Sequence, residues 1–306
     1  MNGGPTVRSL RQGGWLAGSG LLAFAVAPAV WSQPATFAPT FSAARAWQDL
    51  EAQCALGPRE PGTAGHTAGR RFLAAALEKI TPRVSSQRFV GSLDGRPVSL
   101  TNLIADIGPP GPRPAVICAH WDTRPWADQD PDPAKRTVPI LGADDGASGV
   151  AVALEVARVV RPRIPVRIVL FDGEDLGHDL NGFFQGSRYY AAHLGSERPR
   201  WAILLDMVGQ RNLVIPREQL SEQSAPDLLA GIFAVARQQR SPAFVDQPGQ
   251  TIYDDQYPLI QAGIPAIDLI DFDYPAWHTT SDTPAQCSAA SLGEVGRVVA
   301  DYLDRV

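Results

Sequence analysis

The chain has 306 residues, of which 44% are hydrophobic and 19% charged, and its formal net charge is -5. These values are typical of a globular protein and exclude a disordered or fibrous chain. The acidic balance and the lack of any basic run in the sequence argue against nucleic acid as a partner.

The N-terminal segment has the layout of a secretory signal peptide. Arg8 and Arg11 give it a positive start, an apolar run follows over residues 15–31, and small residues near Ala29 offer a cleavage site. The apolar run has about 17 residues, which is short for a membrane span of roughly 20. We therefore expect export of the protein.

The predicted domain organisation follows from this segment. We expect a signal peptide over residues 1–32 and a catalytic domain over residues 33–306, in a protein that is periplasmic or secreted. An uncleaved signal or a lipid anchor is the alternative, and it is the only membrane association that the sequence suggests. The oligomeric state stays open.

Helical and strand-like segments alternate along the rest of the chain. In chain order they are helices over 41–56 and 68–80, strands over 84–90 and 98–107 joined by the turn Asp94-Gly95, a strand over 115–119, a helix over 147–160, a strand over 166–171, a helix over 183–194, a strand over 201–205, a helix over 225–237, a strand over 266–270 and a closing helix over 291–302. This order predicts an α/β fold: a single domain with a central, mostly parallel mixed sheet flanked by helices on both faces.

Three cysteines, Cys54, Cys118 and Cys287, have no metal-ligand spacing, and we assign no disulfide to them. Cys118 lies within an apolar strand, so we expect its thiol to be buried and inert.

Acidic and imidazole side chains follow the central strands directly. These residues are His120, Asp122, Asp144, Asp145, Asp172, Glu174, Asp175, Asp206 and His278. Because ligands bind α/β sheets beyond the carboxyl ends of the strands, we expect these groups to converge at one edge. Clustered carboxylates repel each other unless a cation neutralises them. Oxygen and imidazole donors without thiolate suit zinc in a catalytic site that keeps an open position.

The combination of motifs resembles the M28 zinc peptidase superfamily over nearly the whole mature chain. The motifs are His120-x-Asp122, the run Gly-Ala-Asp-Asp-Gly-Ala-Ser-Gly over 142–149, Gly173-Glu-Asp175, Asp206-Met-Val-Gly209 and His278-Thr. The resemblance implies the zinc aminopeptidase-like, phosphorylase/hydrolase-like fold.

Within that superfamily the chain is most similar to the animal-type glutaminyl cyclases and their bacterial relatives. The residues that carry this closer match are His-Trp-Asp-Thr-Arg-Pro-Trp-Ala-Asp over 120–128, Tyr253-Asp-Asp255 and Trp277-His278. Aminopeptidases of the superfamily usually have a Tyr before the last histidine ligand, where this chain has Trp277. The implied reaction converts the N-terminal glutamine of peptides or proteins to pyroglutamate and releases ammonia.

The resemblance also implies roles for individual residues. Asp145, Asp175 and His278 would bind one zinc ion per chain, and Glu174 would be the general acid/base. Asp206 and Asp254 would join Glu174 in catalysis and raise its pKa by like-charge repulsion.

The same resemblance implies a substrate pocket. Trp277 would form its wall and Tyr253 would also bind substrate, although plain core packing is the alternative for Trp277. Phe183 or Phe184 would replace an aromatic residue of the animal enzymes. Asp268 stands where the animal family has a supporting histidine.

Several other polar residues have simpler expected roles. We expect Asp144 to cap the helix that starts near Gly146, since Asp is favoured at that position. For His66, His178 and His193 we expect surface or loop positions.

Two alternatives to a cyclase remain. A di-zinc aminopeptidase would use His120 and Asp206 as second-metal ligands, with Asp145 bridging two zinc ions. The second alternative is a non-catalytic binding domain. Such domains lose their metal-binding residues, whereas this chain keeps all three and the base. Trp277 and the loop Trp126-Ala-Asp128 favour the cyclase.

Overall fold

A computed structural model describes residues 40–195 and 198–306 of the chain, so the predicted signal peptide over residues 1–32 lies outside the described residues. The strands are β1 Val84–Leu93, β2 Arg96–Ile107, β3 Ala115–His120, β4 Val166–Phe171, β5 Trp201–Asp206, β6 Ile215–Arg217, β7 Phe244–Pro248 and β8 Ala266–Ile270. The helices are α1 Ala43–Cys54, α2 Ala64–Glu78, α3 Ala147–Val159, α4 Gln185–Ala192, α5 Gln219–Ser224, α6 Pro226–Gln239, α7 Gln256–Gln261 and α8 Ala289–Arg305.

The main sheet has six strands in the order β1-β2-β4-β3-β5-β8, and β6 and β7 form a separate pair. Strand β3 pairs in parallel with β4 and β5, and β5 pairs in parallel with β8. Strand β2 is antiparallel to both β1 and β4. The predicted mixed, mostly parallel sheet is therefore confirmed, and the carboxyl ends of β3, β4, β5 and β8 lie at one edge.

Helices cover both faces of this sheet, as predicted. Along β3, Ala115 and Ile117 point into the larger core, which includes buried residues of α1, α3 and α8. Val116 and Cys118 point into a second core that contains Tyr190 of α4 and Leu259 of α7. Successive side chains of β3 thus pack alternately into two apolar layers, one on each face of the sheet.

Two glycines, Gly95 and Gly149, allow a backbone geometry that a larger residue would disturb. Asp94 and Gly95 have φ angles of 51° and 75°, which fits a two-residue turn between β1 and β2. A Cβ atom on Gly149 would lie 1.9 Å from the carbonyl oxygen of Leu205, so the glycine lets α3 approach β5 closely. That close approach brings the start of α3 beside the end of β5.

Some element limits differ from the prediction. Helix α2 begins at Ala64 rather than Ala68, because the Thr63 side chain accepts a hydrogen bond from the His66 N–H and caps the helix. Helix α4 begins only at Gln185, because Phe184 has a φ of 62°, which a right-handed helix cannot include.

Two further findings concern the thiols and the membrane. Cys54, Cys118 and Cys287 are all free and buried. Within residues 40–195 and 198–306, no helix combines the length and the apolar character that a membrane crossing requires.

Candidate active site

The polar residues that follow the strands meet at the carboxyl edge of the sheet. His120 ends β3, Asp206 ends β5, and Glu174 and Asp175 follow β4. All of them are buried, as are Asp145 just before α3 and His278 in the loop after β8. The convergence expected from the sequence is present.

Two groups of three side chains, which share Asp145, have the spacing of metal ligands. In the His278 group (Asp145, Asp175 and His278), the His278 Nε2 atom lies 3.3 Å from Asp175 Oδ1 and 3.7 Å from Asp145 Oδ2. In the His120 group (His120, Asp145 and Asp206), the His120 Nε2 atom lies 3.1 Å from one carboxylate oxygen of each acid. In each group the ligand atoms lie within 4.8 Å of one another.

The two groups differ in how well their polar atoms are satisfied. His120 Nε2 forms a hydrogen bond of 3.1 Å with Asp206. On the His278 side, Asp175 Oδ2 and the Asp145 oxygen nearer His278, Oδ2, are buried and have no hydrogen-bond partner among the described residues. Buried carboxylate oxygens without partners are costly unless a cation neutralises them. The donor set of the His278 group therefore fits a bound metal ion.

Two residues of the loop after β3 support the His278 group from behind. Asp128 Oδ1 lies 3.2 Å from His278 Nδ1, an arrangement that turns the Nε2 atom towards Asp145 and Asp175. Arg124 donates hydrogen bonds of 2.8 Å to both oxygens of Asp128 and one of 3.0 Å to Asp175 Oδ1. Burial lowers the pKa of His278, but Asp175 and Asp128 outweigh it and raise that pKa to about 9.

Two other acids hold the loops that carry the carboxylates. Asp122 accepts hydrogen bonds of 3.1 Å and 3.2 Å from the backbone N–H groups of Glu174 and Asp175. Asp282 accepts from the backbone N–H of Asp145 at 3.2 Å. The sequence motifs included Asp122, but nothing in the sequence pointed to Asp282.

A buried arginine, which the sequence reasoning missed, ties the same loops together. Arg59 is fully buried and donates to the carbonyl oxygens of Trp121, Leu141 and Gly142 at 2.9, 3.1 and 2.8 Å. Its position in a loop rich in Gly and Pro gave no signal, because only the fold shows what lies beneath that loop.

Glu174 is one of several buried carboxyl groups at this edge whose pKa is raised. Burial, and after it the charge of Asp175, raises the pKa of Glu174 well above its usual value. The expected contribution of Asp254 is also present but smaller. Burial and the charge of Asp206 similarly raise the pKa of Asp254.

These acids line the floor of a cavity of about 320 Å³ whose walls are largely apolar. The wall residues are Leu180, Phe183, Phe184, Met207, Ile252, Tyr253, Ile270, Phe272 and Trp277. Trp277 stacks on His278 with ring centroids 3.8 Å apart and contacts Phe272 at 5.1 Å. Tyr253 is 45% exposed, at the rim. The cavity therefore presents an aromatic wall directly beside the His278 group.

Two expectations about polar residues were wrong. Asp144 does not cap α3, because its Oδ1 atom accepts the Gly209 N–H instead, and the cap position of α3 has no side-chain hydrogen bond. His66 is not a surface residue. It is buried in α2, where its Nε2 atom lies 2.9 Å from Asp172 and its ring stacks on Trp121.

The remaining predicted positions agree better with the structure. His178 and His193 are exposed, as expected. Asp268 is fully buried in β8, and neither of its carboxylate oxygens has a hydrogen-bond partner within the described ranges.

Residues 102–303 match the model of peptidase family M28. The chain belongs to this family. Among solved structures, a Bacteroides thetaiotaomicron glutaminyl cyclase bound to N-acetylhistamine is 35% identical, with a TM-score of 0.84, and covers 88% of this chain and 99% of its own. A leucine aminopeptidase precursor from the same organism is also 35% identical, with a TM-score of 0.85 and the same coverage.

A curated relative of this M28 chain is the mouse glutaminyl-peptide cyclotransferase-like protein. It is 25% identical over 279 residues, which cover 80% of this chain and 71% of the relative. The fold of the chain is therefore that of both cyclases and exopeptidases, and the side chains of the site must distinguish the two.

Proposed function

We propose that the protein is a zinc-dependent glutaminyl-peptide cyclotransferase, which converts N-terminal glutamine to pyroglutamate. The observation that carries the proposal is the difference between the two groups at Asp145. The two unpartnered carboxylate oxygens, Asp175 Oδ2 and the Asp145 oxygen that faces His278, belong to the His278 group, which lies in the cavity walled by Trp277. One metal site beside a small aromatic pocket suits an intramolecular reaction of a short side chain.

We assign the metal to Asp145, Asp175 and His278, one zinc ion per chain. A bound zinc ion would supply a Lewis acid for the γ-carbonyl oxygen of the glutamine. The donor set supports zinc, since it consists of two carboxylates and one imidazole with no thiolate.

The chain's own residues account for the proton transfers. The α-amine of the glutamine forms a bond to the side-chain carbonyl carbon (Cδ), and the bond from that carbon to the amide nitrogen breaks. Glu174 accepts a proton from the attacking nitrogen and returns it to the nitrogen that leaves as ammonia. Burial and the charge of Asp175 raise its pKa, so this carboxyl group holds the proton between the two transfers more readily than an exposed glutamate would.

The other assigned residues orient the substrate and the base. Asp206 and Asp254 lie at the cavity floor beside Glu174 and keep its surroundings acidic. Trp277 and Phe272 confine the glutamine side chain so that it folds back on its own amine. Tyr253 contacts the substrate at the exposed rim.

A di-zinc aminopeptidase is the second candidate, favoured by one specific observation. The His120 group has the right residue types and spacing for a second metal, with Asp145 shared. Against it stands the hydrogen bond of 3.1 Å between His120 Nε2 and Asp206, which gives this ring nitrogen a partner without a metal.

One experiment separates these activities. The zinc-loaded protein is incubated with a Gln-initiated peptide and, separately, with a Leu-initiated chromogenic amide, and ammonia and free amine are measured. We expect ammonia from the first and no cleavage of the second. Glu174→Gln should lower kcat by about 10²- to 10⁴-fold, the range for loss of a general base. Glu78→Gln, at the exposed end of α2, is the matched control and should act like the native protein.

The opposite pattern contradicts the proposal. Cleavage of the Leu amide without ammonia release would identify an aminopeptidase. If neither product forms while zinc is bound, the protein is a binding domain.

We further propose that residues 1–32 direct export and that residues 33–306 form the catalytic domain. The proposal rests on Arg8, Arg11 and the apolar run over 15–31. N-terminal sequencing of the protein recovered outside the cytoplasm tests it. A start near Gln33 is expected, whereas recovery of the intact chain from the cytoplasm would contradict export.

A further inference from the structure

A second cavity adjoins the active-site cavity on the side of Phe272. Its volume is about 310 Å³, and its other walls come chiefly from β6, β7 and the loop over residues 271–273. This cavity, the β7 groove, shares four lining residues with the active-site cavity, namely Gln250, Ile252, Ile270 and Phe272. The two cavities are therefore neighbours along one surface.

Phe272 marks where the β7 groove begins relative to the reacting groups. Its ring lies against Trp277, with centroids 5.1 Å apart, and Trp277 in turn stacks on His278. A glutamine held beside Trp277 carries the rest of its peptide on its own carbonyl group, and each further residue in extended form spans about 3.3–3.6 Å. Because Phe272 lines both cavities, a peptide that leaves past this ring reaches the groove within about two residues.

Large apolar side chains are exposed around both cavities. Six such side chains stand out among the described residues, and three of them line one cavity or the other. Leu180 and Tyr253 line the active-site cavity, and Val214 lines the β7 groove. Single exposed apolar residues need no explanation, but a group of them beside a cavity is typical of a surface that binds a ligand. The apolar surface thus extends from the active site into the groove.

The polar side of the β7 groove is acidic. Glu218, Asp271 and Asp273 line it, and no Lys, Arg or His is among the lining residues that the structure describes. Glu218 and Asp271 accept hydrogen bonds from backbone N–H groups, and the exposed Asp273 accepts one of 3.2 Å from the Gln250 side chain. Because these donors are neutral, they orient the carboxyl groups without supplying a positive charge.

An acid on the other face of β7 shows the contrast. Val245 and Gln247 line the groove, whereas Asp246 between them does not, as the alternation of side chains along a strand requires. Asp246 lies 3.1 Å from Arg217 and 3.5 Å from Arg237, so two cations balance its charge. The acids of the groove have no such cation among its lining residues.

We propose that the β7 groove binds the residues that follow the N-terminal glutamine, and that it favours peptides with Lys or Arg at the second or third position. The apolar walls pack against the peptide, and Asp273 attracts the cationic side chain. This inference rests on the proposed cyclase function and adds to it the class of substrate.

Cyclisation of matched peptides by the zinc-loaded protein tests the proposal. Gln-initiated tetrapeptide amides carry Lys or Glu at the second or the third position, and a Gln-Ala amide serves as the short substrate. We expect kcat/KM to be higher for the Lys peptides than for the Glu peptides by about fivefold at low ionic strength, mainly through KM. High salt should reduce this ratio, because it screens exposed charges. The Gln-Ala amide should have a higher KM than the Lys peptides.

Variants of Asp273 assign the preference to the β7 groove. Asp273→Asn should lower the Lys-to-Glu ratio by about twofold, and Asp273→Lys should bring it to one or below. Asp246→Asn and Asp246→Lys are the matched controls, because they change the net charge equally on the other face of β7, and they should keep the native ratio. Thermal unfolding of each variant checks that its fold is intact.

The possible failures are distinguishable. Ammonia release that is equal for Lys and Glu peptides, a ratio that Asp273→Lys leaves unchanged, or the same change in Asp246→Lys would overturn the groove while leaving the cyclase function in place. The absence of ammonia from every peptide would overturn the proposed function, and this inference with it.

Discussion

The His278 group and the His120 group share Asp145 and contain the same kinds of side chain, yet they differ in one physical respect. In the His120 group the Nε2 atom lies 3.1 Å from both acids, and the Nδ1 atom is the ring nitrogen without a hydrogen-bond partner among the described residues. In the His278 group two carboxylate oxygens, Asp175 Oδ2 and the Asp145 oxygen that faces His278, have no partner in the described part of the chain. The comparison teaches that residue types alone do not specify a metal site. What matters is whether the donors and acceptors of the group can satisfy each other.

Removing one histidine from each group tests this difference most strongly. We expect His278→Ala to lose its zinc and its ammonia-releasing activity, because two carboxylates alone hold zinc poorly. We expect His120→Ala to keep one zinc ion per chain. Elemental analysis by mass spectrometry measures both, with thermal unfolding as the check on folding. A native zinc content of two that falls to one in His120→Ala would show that both groups bind metal.

Asp128→Asn tests the support behind the His278 group. The carboxylate beside His278 Nδ1 orients the ring, and loss of such a partner typically weakens metal affinity by about 10- to 100-fold. Competition with a chelator measures the change. Asp94→Asn is the matched control, because Asp94 lies 2.9 Å from the exposed His178 in a similar acid–histidine pair. Equal affinities in the two variants would mean that Asp128 does not support a ligand.

Trp277→Ala sharpens the comparison on the substrate side. Trp277 stacks on His278 but has no atom to offer a metal, so zinc content should stay unchanged. We expect kcat/KM for the Gln-initiated peptide to fall roughly tenfold, mainly through KM, because part of an apolar wall is lost. Trp277→Phe should keep most of the activity. Unchanged kinetics in Trp277→Ala would show that Trp277 does not bind the substrate and only packs in the core.

The pKa of His278 gives the smallest predicted effect. That pKa is raised to about 9 in the metal-free chain, so below that pH a proton must leave before the imidazole can bind zinc. Zinc affinity should therefore rise with pH, by about threefold between about pH 7.5 and pH 8.0, and level off above the pKa. Calorimetry in buffers of different ionisation enthalpy should show release of about one proton. Affinity that does not change over this range would rule out a protonated His278.

The sequence predicted the parts of the fold that depend on local pattern. Strand-like runs marked every strand of the main sheet, and the polar residues after the central strands marked the edge where the site lies. It did not predict α5, α7 or the pair of β6 and β7, because elements of three to six residues carry too little periodicity. The start of α2 was placed late because the cap at Thr63 precedes the apolar pattern.

The same distinction between local pattern and distant contacts applies to the residues of the site. The residues that the motifs contain did converge, including Asp145, Glu174 and His278. The residues that hold them in place were missed or misassigned where their partners are distant in the sequence. Asp144 is the clearest case, because its acceptor role depends on Gly209, which lies 65 residues away.

The most direct test of the central claim is a zinc titration of the metal-free protein, with ammonia release from a Gln-initiated peptide measured at each addition. We predict that activity rises linearly and reaches its plateau at one equivalent of zinc per chain. A plateau at two equivalents, or ammonia release that needs no zinc, would contradict a single catalytic metal in the His278 group.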